Sequence, residues 1–324
     1  MKLKTAIVTT LRDPGQDLVF FLQYHFAIGF DHIFLFFDGD EDDPMIEYAR
    51  RFEGVSIRTK GDGLRRDWEN SRSFKKNHQY AGFLDKEVMA RQILNAELAI
   101  NKCLDLGIDW IVHIDHDELF VLNKGSLAEH FFELDAANIE TVRYLNHEAI
   151  PEKLIVGSLF EEVSLFKKNY AALNHNQVRY VNGLPNTSHF LYYTEGKSAA
   201  RVSMNLLPAD VHGFSSTNKV NICHDACVLH YPICGLNNFI KKYKILGMFE
   251  DKWFGALDIN TRLPFHIQSR NIVNGNDEQL IRDFYIQKVM RKEQEIDTGL
   301  LQGIYFRNFT PVNLLKQDRV TTII

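Results

Sequence analysis

No stretch of this 324-residue chain approaches 18 unbroken apolar residues, so no helix is expected to span a bilayer. The first ten residues hold two lysines and a short apolar piece, without a long apolar core or a small-residue cleavage site, and do not read as an export signal. An excess of positive charge is missing too. The net charge of −5 gives no case for nucleic acid or an anionic membrane as the main partner. Cysteine is scarce, four in all, and without an export signal the thiols are expected to be reduced, in a soluble, cytoplasmic protein. No Gly-x-Gly-x-x-Gly follows a strand, and Gly196-Lys197 lacks the spacing of a phosphate loop, which argues against a dinucleotide cofactor or a P-loop. There is no internal repeat and no low-complexity linker.

What is present is an ordinary enzyme-like balance, 45% hydrophobic and 24% charged, with ample material for a core. One stretch organises the rest: Asp109-Trp110-Ile111-Val112-His113-Ile114-Asp115-His116-Asp117-Glu118-Leu119-Phe120. Its apolar run reads as a short buried strand that ends in three carboxylates. On strand alternation Asp115 and Asp117 leave one face, His116 and Glu118 the other. Two carboxylates that close repel by roughly 4 kcal/mol at an effective dielectric near 20, which a divalent cation would relieve. Hard oxygen donors suit magnesium, manganese or calcium better than zinc. A solvated acidic turn is the commoner origin of such clusters. Here apolar residues resume at Leu119 and pin the carboxylates between buried segments.

Upstream, 5–11 reads as a first strand, Asp17 as the cap of a helix ended by Gly29, and 33–37 as a second strand closed by Asp38. A helix over 45–52 and a strand over 55–59 complete a parallel, right-handed α/β unit. Ligands of such sheets bind at the carboxyl ends of strands, where Thr9, Thr10, Arg12 and Asp38 lie. Residues 60–80 read as a polar, basic loop and a candidate lid. The span 85–106 is the strongest helix, stopped by Gly107, with Cys103 on its buried side and Arg91 and Asn95 on another face. Further strands are expected at 142–145 and 163–166, a polar loop at 174–188, and helices at 236–247 and 277–291. Cys223, Cys227 and Cys234 cluster with His224 and His230, but the Cys-x3-Cys step is not the usual zinc knuckle.

With these residues in place the chain resembles the family-2-like nucleotide-sugar glycosyltransferases, close to glycosyltransferase family 92. The matching pieces are Ala6-Ile7-Val8-Thr9-Thr10-Leu11-Arg12-Asp13, Tyr24-His25-Phe26-Ala27-Ile28-Gly29-Phe30-Asp31-His32, Met89-Ala90-Arg91-Gln92, 109–118 and Leu229-His230-Tyr231. They follow family order over residues 5–246. The resemblance implies an α/β GT-A (Rossmann-like) fold, a mixed, mostly parallel sheet flanked by helices. It places a transferase domain at 1–250 and a helical appendage packed on it at 251–324.

It also implies Mn2+ or Mg2+ held by Asp115 and Asp117, with His230 completing the shell. The donor would be a nucleotide diphosphate sugar, UDP-linked by expectation, and the acceptor an unidentified saccharide or protein. Thr10 and Arg12 would form the base-binding turn, Asp38 would contact the nucleoside, and Arg91, Asp115 and Lys197 would face the donor. Transfer with inversion needs a general base. Asp225 and His212 are the catalytic candidates, Asp225 being preferred over Glu118 and Asp210 because it lies near His230 in sequence. The family's downstream Glu-Asp pair is not matched, since Glu161-Glu162 stands in that region. His25 reads as a packed helix histidine. The alternatives are a catalytically silent GT-A module that binds carbohydrate or nucleotide, and a sugar nucleotidyltransferase.

Overall fold

The strands form where β-branched and aromatic residues run together without polar alternation. Thr5–Leu11 (β1) and His32–Phe37 (β2) are buried almost throughout, as central strands covered on both faces must be. Among those that follow are Val55–Thr59 (β3), Trp110–His113 (β4), Glu118–Leu122 (β5), Thr141–Ala149 (β6), Leu165–Lys167 (β7), Lys197–Arg201 (β8) and Asn221–His230 (β9). The computed structural model describes residues 2–39, 41–77, 79–184, 189–218 and 220–321. Residue contacts divide the chain into two units, Met1–Leu145 with Glu195–Val228, and Asn146–Thr194 with Leu229–Ile324.

In the first unit β1 lies between β2 and β4, all parallel, with Val8 opposite both Phe34 and His113, and β3 runs parallel beyond β2. β8 then pairs antiparallel with β4, and β6 antiparallel with β8. This is the mixed α/β sheet, flanked by helices, expected from the sequence. The helix Val88–Leu106 crosses it, and Ala96, Ala99, Ile100 and Cys103 share a core with Val8, Phe34 and Ile111. Gly107 ends this helix at φ 63°, where a side chain would be strained. His25 is the packed histidine expected: its Nδ1 lies 2.8 Å from the Phe21 carbonyl, and Nε2 accepts from the Phe120 amide at 3.2 Å.

Three local expectations change. Asp17 lies inside the first turn of Asp17–Ala27 rather than capping it, and the cap position is Gln16. Residues 60–80 are not a loop: Asp62–Asn70, Arg72–Lys76 and Gln79–Phe83 are helical. They are held from a distance, for Trp68 donates to Asn95 at 2.8 Å, and buried Glu97 accepts from the amides of Arg72 and Ser73. The expected loop at 174–188 contains the helix His175–Asn182, started by a capping box of Asn174 and Gln177. Its last four positions lie outside the described residues.

In the second unit the end of β6 pairs antiparallel with β7, and β7 with the strand Tyr305–Arg307. Helices Leu236–Leu246, Pro264–Asn274 and Glu278–Lys288 meet over Phe239, Tyr243, Phe265, Ile281 and Tyr285. Residues 251–324 belong to this unit together with 146–194 and 229–250.

Candidate active site

β4 stops at His113, earlier than strand alternation through Asp117 requires. Residues 114–117 form a tight turn closed by the Glu118 amide donating to the Asp115 carbonyl at 3.1 Å. The turn also folds back on itself, because the Asp115 amide donates to Glu118 Oε2 at 2.7 Å. Asp115 and Asp117 are therefore turn residues, and period-two reasoning does not apply to them.

Both Asp115 oxygens are engaged. Oδ1 accepts from Gln92 Nε2 at 2.7 Å and Oδ2 from Lys197 Nζ at 2.8 Å. The same ammonium donates to the Val211 carbonyl at 3.2 Å and lies 3.6 Å from Glu118 Oε2. Lys197 is 1% exposed and Asp115 25%. The lysine is delivered by Gly196, whose φ is +78° and whose missing Cβ would stand 2.3 Å from the Tyr144 carbonyl. No other residue type fits there. Burial disfavours charge on both partners, yet each more than restores the other: Asp115 sits below the usual carboxylate range and Lys197 above the usual ammonium range. Glu118, fully buried, is pushed by burial well above the ordinary value.

Two histidines border this pair. His113 is fully buried, and neither ring nitrogen has a hydrogen-bond partner. Burial first, and then the Lys197 charge, hold its pKa near 3. His212 follows Val211, its amide donates to Asp210 Oδ1 at 2.7 Å, and burial with Lys197 lowers its pKa to about 3. Both rings are neutral at physiological pH.

Of the other expected residues, Asp38 and Arg91 meet each other. Arg91 Nε and NH2 reach the two Asp38 oxygens at 2.5 and 2.6 Å, and its NH1 donates to the Leu84 carbonyl. Each side chain is nearly buried, and the pair ties the end of β2 to the helix Val88–Leu106. Thr10 accepts from Asn95 at 2.9 Å. Arg12 is exposed at the end of β1, its Cγ about where a Cβ on Gly39 would touch it, and Asp13 beyond it has φ 46°. Asp225 is partly exposed and pairs with Lys124 at 3.1 Å, while its carbonyl accepts from the Asn123 amide. His230 belongs to the second unit, its ring 4.9 Å from that of Tyr193 and 5.8 Å from that of Tyr192.

The structure thus joins Asp115, Lys197 and His212, and adds Gln92 and Gly196. Gln92 lies one position beyond Arg91 on the helix, but nothing in the sequence pairs it with Asp115. Gly196 was visible only as half of a false phosphate-loop match.

The arrangement tests poorly as a metal seat. Among the described residues no group of three or more His, Cys, Asp or Glu side chains is placed to hold an ion. More telling is the resident ammonium. An ion on Asp115 would stand about 4 Å from it, and charges of +2 and +1 at that separation repel by roughly 8 kcal/mol at an effective dielectric near 20. A zinc site at the cysteines is not supported either: the buried Cys227 thiol donates to Asn123 Oδ1 at 3.9 Å, and among the described residues no set of three or more ligating side chains is gathered there.

No family model matches the chain. It is similar to two proteins of Arabidopsis thaliana, Glycosyltransferase-like At2g41451 and Glycosyltransferase-like At3g57200. Each is 26% identical over 98% of this chain, which spans 73% of the first and 64% of the second. Among solved structures, TarS of S. aureus aligns over 75% of this chain and 39% of its own, at 10% identity and TM-score 0.33. The core-mannan synthase CmsA/Ktr4 of Aspergillus fumigatus, in its Mn/GDP form, aligns over 61% of this chain and 59% of its own, at 8% identity and TM-score 0.29. Scores this low fix no detail of this site. Both relatives bear the name glycosyltransferase-like, and the likeness runs over 98% of this chain. No helix among the described residues is long and apolar enough to cross a membrane.

Proposed function

We propose that the chain is a glycosyltransferase of GT-A type that moves a sugar from a nucleotide diphosphate sugar to a hydroxyl acceptor. The observation that carries the reading is the half-exposed acidic turn of Asp115, at the carboxyl end of a parallel strand beside β1, where open α/β sheets bind their ligands. The sequence likeness to glycosyltransferase-like proteins supports it. In this reading the Asp115 carboxylate accepts hydroxyls of the donor, and exposed Arg12 meets the charged diphosphate. Thr10 lies two residues before Arg12, near the carboxyl end of β1. His212 adjoins the turn beside Lys197, but a ring whose pKa burial and that charge hold near 3 is a weak base at neutral pH. Asp225, tied to Lys124, lies on another strand and serves as the control. A UDP donor and inversion remain parts of the proposal to be tested. A divalent ion is not carried into it, because Asp115 already holds an ammonium.

The test is release of free nucleotide from a panel of UDP- and GDP-sugars by the purified chain. Asp115→Asn is expected to lower turnover by about 100-fold or more, in line with the loss of a group that acts on the transition state, and Asp225→Asn by much less. The second reading, a silent binding module, is favoured by the full engagement of both Asp115 oxygens. Binding of a nucleotide sugar with no turnover, by wild type and variants alike, would select it.

A further inference from the structure

We propose that Lys197 fills the cation position of the acidic turn, and so makes Asp115 refuse divalent metal. The inference concerns the chain's affinity for metal and stands whether or not the transferase reading holds.

Three features fix the ammonium. Its backbone is clamped in β8, with Lys197 opposite Tyr144 and the next residue opposite His113 and Arg143. Its side chain is buried to 1% exposure, so it is not a surface lysine free to swing aside. Its acceptors come from two separate places, Asp115 in the turn and the Val211 carbonyl in the segment that carries His212, with the Glu118 carboxylate an ion-pair neighbour at 3.6 Å. Gly196 lets the backbone just before Lys197 lie close against β6, where any Cβ would collide with the Tyr144 carbonyl.

An ammonium in this place performs the first task of a metal, offsetting the mutual repulsion of the carboxylates. It does so without the coordination a divalent ion demands, six oxygen ligands in a fixed octahedron for magnesium. Asp117 interacts electrostatically with Asp115, Glu118 and Lys197, and taking the ammonium away leaves Asp115 and Glu118 without the countercharge they share. Lys197 is then the residue that decides whether this turn is a metal site.

Removing the charge should create the site that wild type lacks. Mn2+ is titrated into wild type, Lys197→Met, Lys197→Arg and the double variant Lys197→Met with Asp115→Asn, and bound ion is read by loss of the free-ion EPR signal. Lys197→Met is expected to bind Mn2+ at least about tenfold tighter than wild type, and to gain thermal stability with added Mn2+ where wild type gains none. Lys197→Arg, which keeps the charge, should behave like wild type, and the double variant should lose the gained site. Tight Mn2+ binding by wild type that Asp115→Asn abolishes would overturn the proposal, and so would a folded Lys197→Met that binds no better than wild type. Should Lys197→Met fail to fold alone, recovery of its fold by Mn2+ supports the proposal. Failure of Mn2+ to recover it, with no gain of binding in Lys197→Gln, counts against it.

Discussion

Two carboxylate–cation pairs stand at the carboxyl ends of parallel strands in one sheet, and they are built to opposite ends. Asp38 after β2 is gripped through both oxygens by the single guanidinium of Arg91, with the two side chains 5% and 6% exposed. Asp115 after β4 divides its oxygens between a lysine and a glutamine, and a quarter of it faces solvent. The first pair is a fastener between β2 and the helix Val88–Leu106. The second keeps a carboxylate with further acceptor capacity partly open to solvent, which is what a ligand site needs. In sequence both look alike, an acid directly after an apolar strand. The partner that arrives from elsewhere in the chain decides which carboxylate is closed into structure and which stays partly open to solvent.

Breaking the fastener should have the largest effect on stability. Arg91→Met leaves Asp38 buried without its partner and is expected to cost about 3–5 kcal/mol of unfolding free energy, measured by urea titration. A cost below about 1 kcal/mol would mean that the pair is wetter and looser than described. Gly196→Ala comes next, because its Cβ meets backbone at a positive φ. A loss of about 2 kcal/mol or more is expected, and nucleotide release should fall with it since Lys197 is displaced. Asp115→Asn belongs at the small end for stability, within about 1–2 kcal/mol, because the site is partly solvated and the amide keeps one acceptor. It belongs at the large end for turnover. Equal stability losses for Arg91→Met and Asp115→Asn would erase the distinction between the pairs.

A second contrast sharpens the same point through pH. His25 and His113 are both fully buried with pKa values near 3, burial being the leading cause in each. In the unfolded chain each imidazole takes a proton near its ordinary 6.5. Below that pH the unfolded state therefore binds more protons, and stability falls from about pH 6.5 toward the folded value near 3, while staying intact above 6.5. Each histidine adds a slope of about 1.4 kcal/mol per pH unit within that window. The two differ in their bonds. His25→Leu strips the Phe120 amide of its acceptor and should cost about 1–3 kcal/mol at pH 7. His113→Leu removes two unpartnered nitrogens and should cost less or stabilise. Both should flatten the acid limb, as followed by thermal unfolding between pH 4 and 8.

The parts of the fold that were legible in the sequence are those set by local pattern. β1, β2 and β4 announce themselves as apolar runs, the long helix by its periodicity and Gly107, and the acidic turn by its position after β4. What stayed hidden depends on groups far apart in the chain. The helices between Asp62 and Phe83 rest on Asn95 and Glu97, and the polar surface that suggested a loop is their solvated face. Asp38 and Arg91 were each noticed, but 53 positions separate them and no periodicity links them. The 82 positions between Asp115 and Lys197 hid the fact that the acidic turn brings its own cation. Strand alternation failed at Asp115 and Asp117 because a turn closed by the Glu118 amide intervenes.

The central claim is that the Asp115 turn is where a nucleotide donor is recognised. It is tested most directly by calorimetric titration of a nucleoside diphosphate, with EDTA present, into wild type and into Asp115→Asn. Saturable binding by wild type that weakens by about tenfold or more in the variant is the predicted result. Identical isotherms for the two proteins would contradict the account.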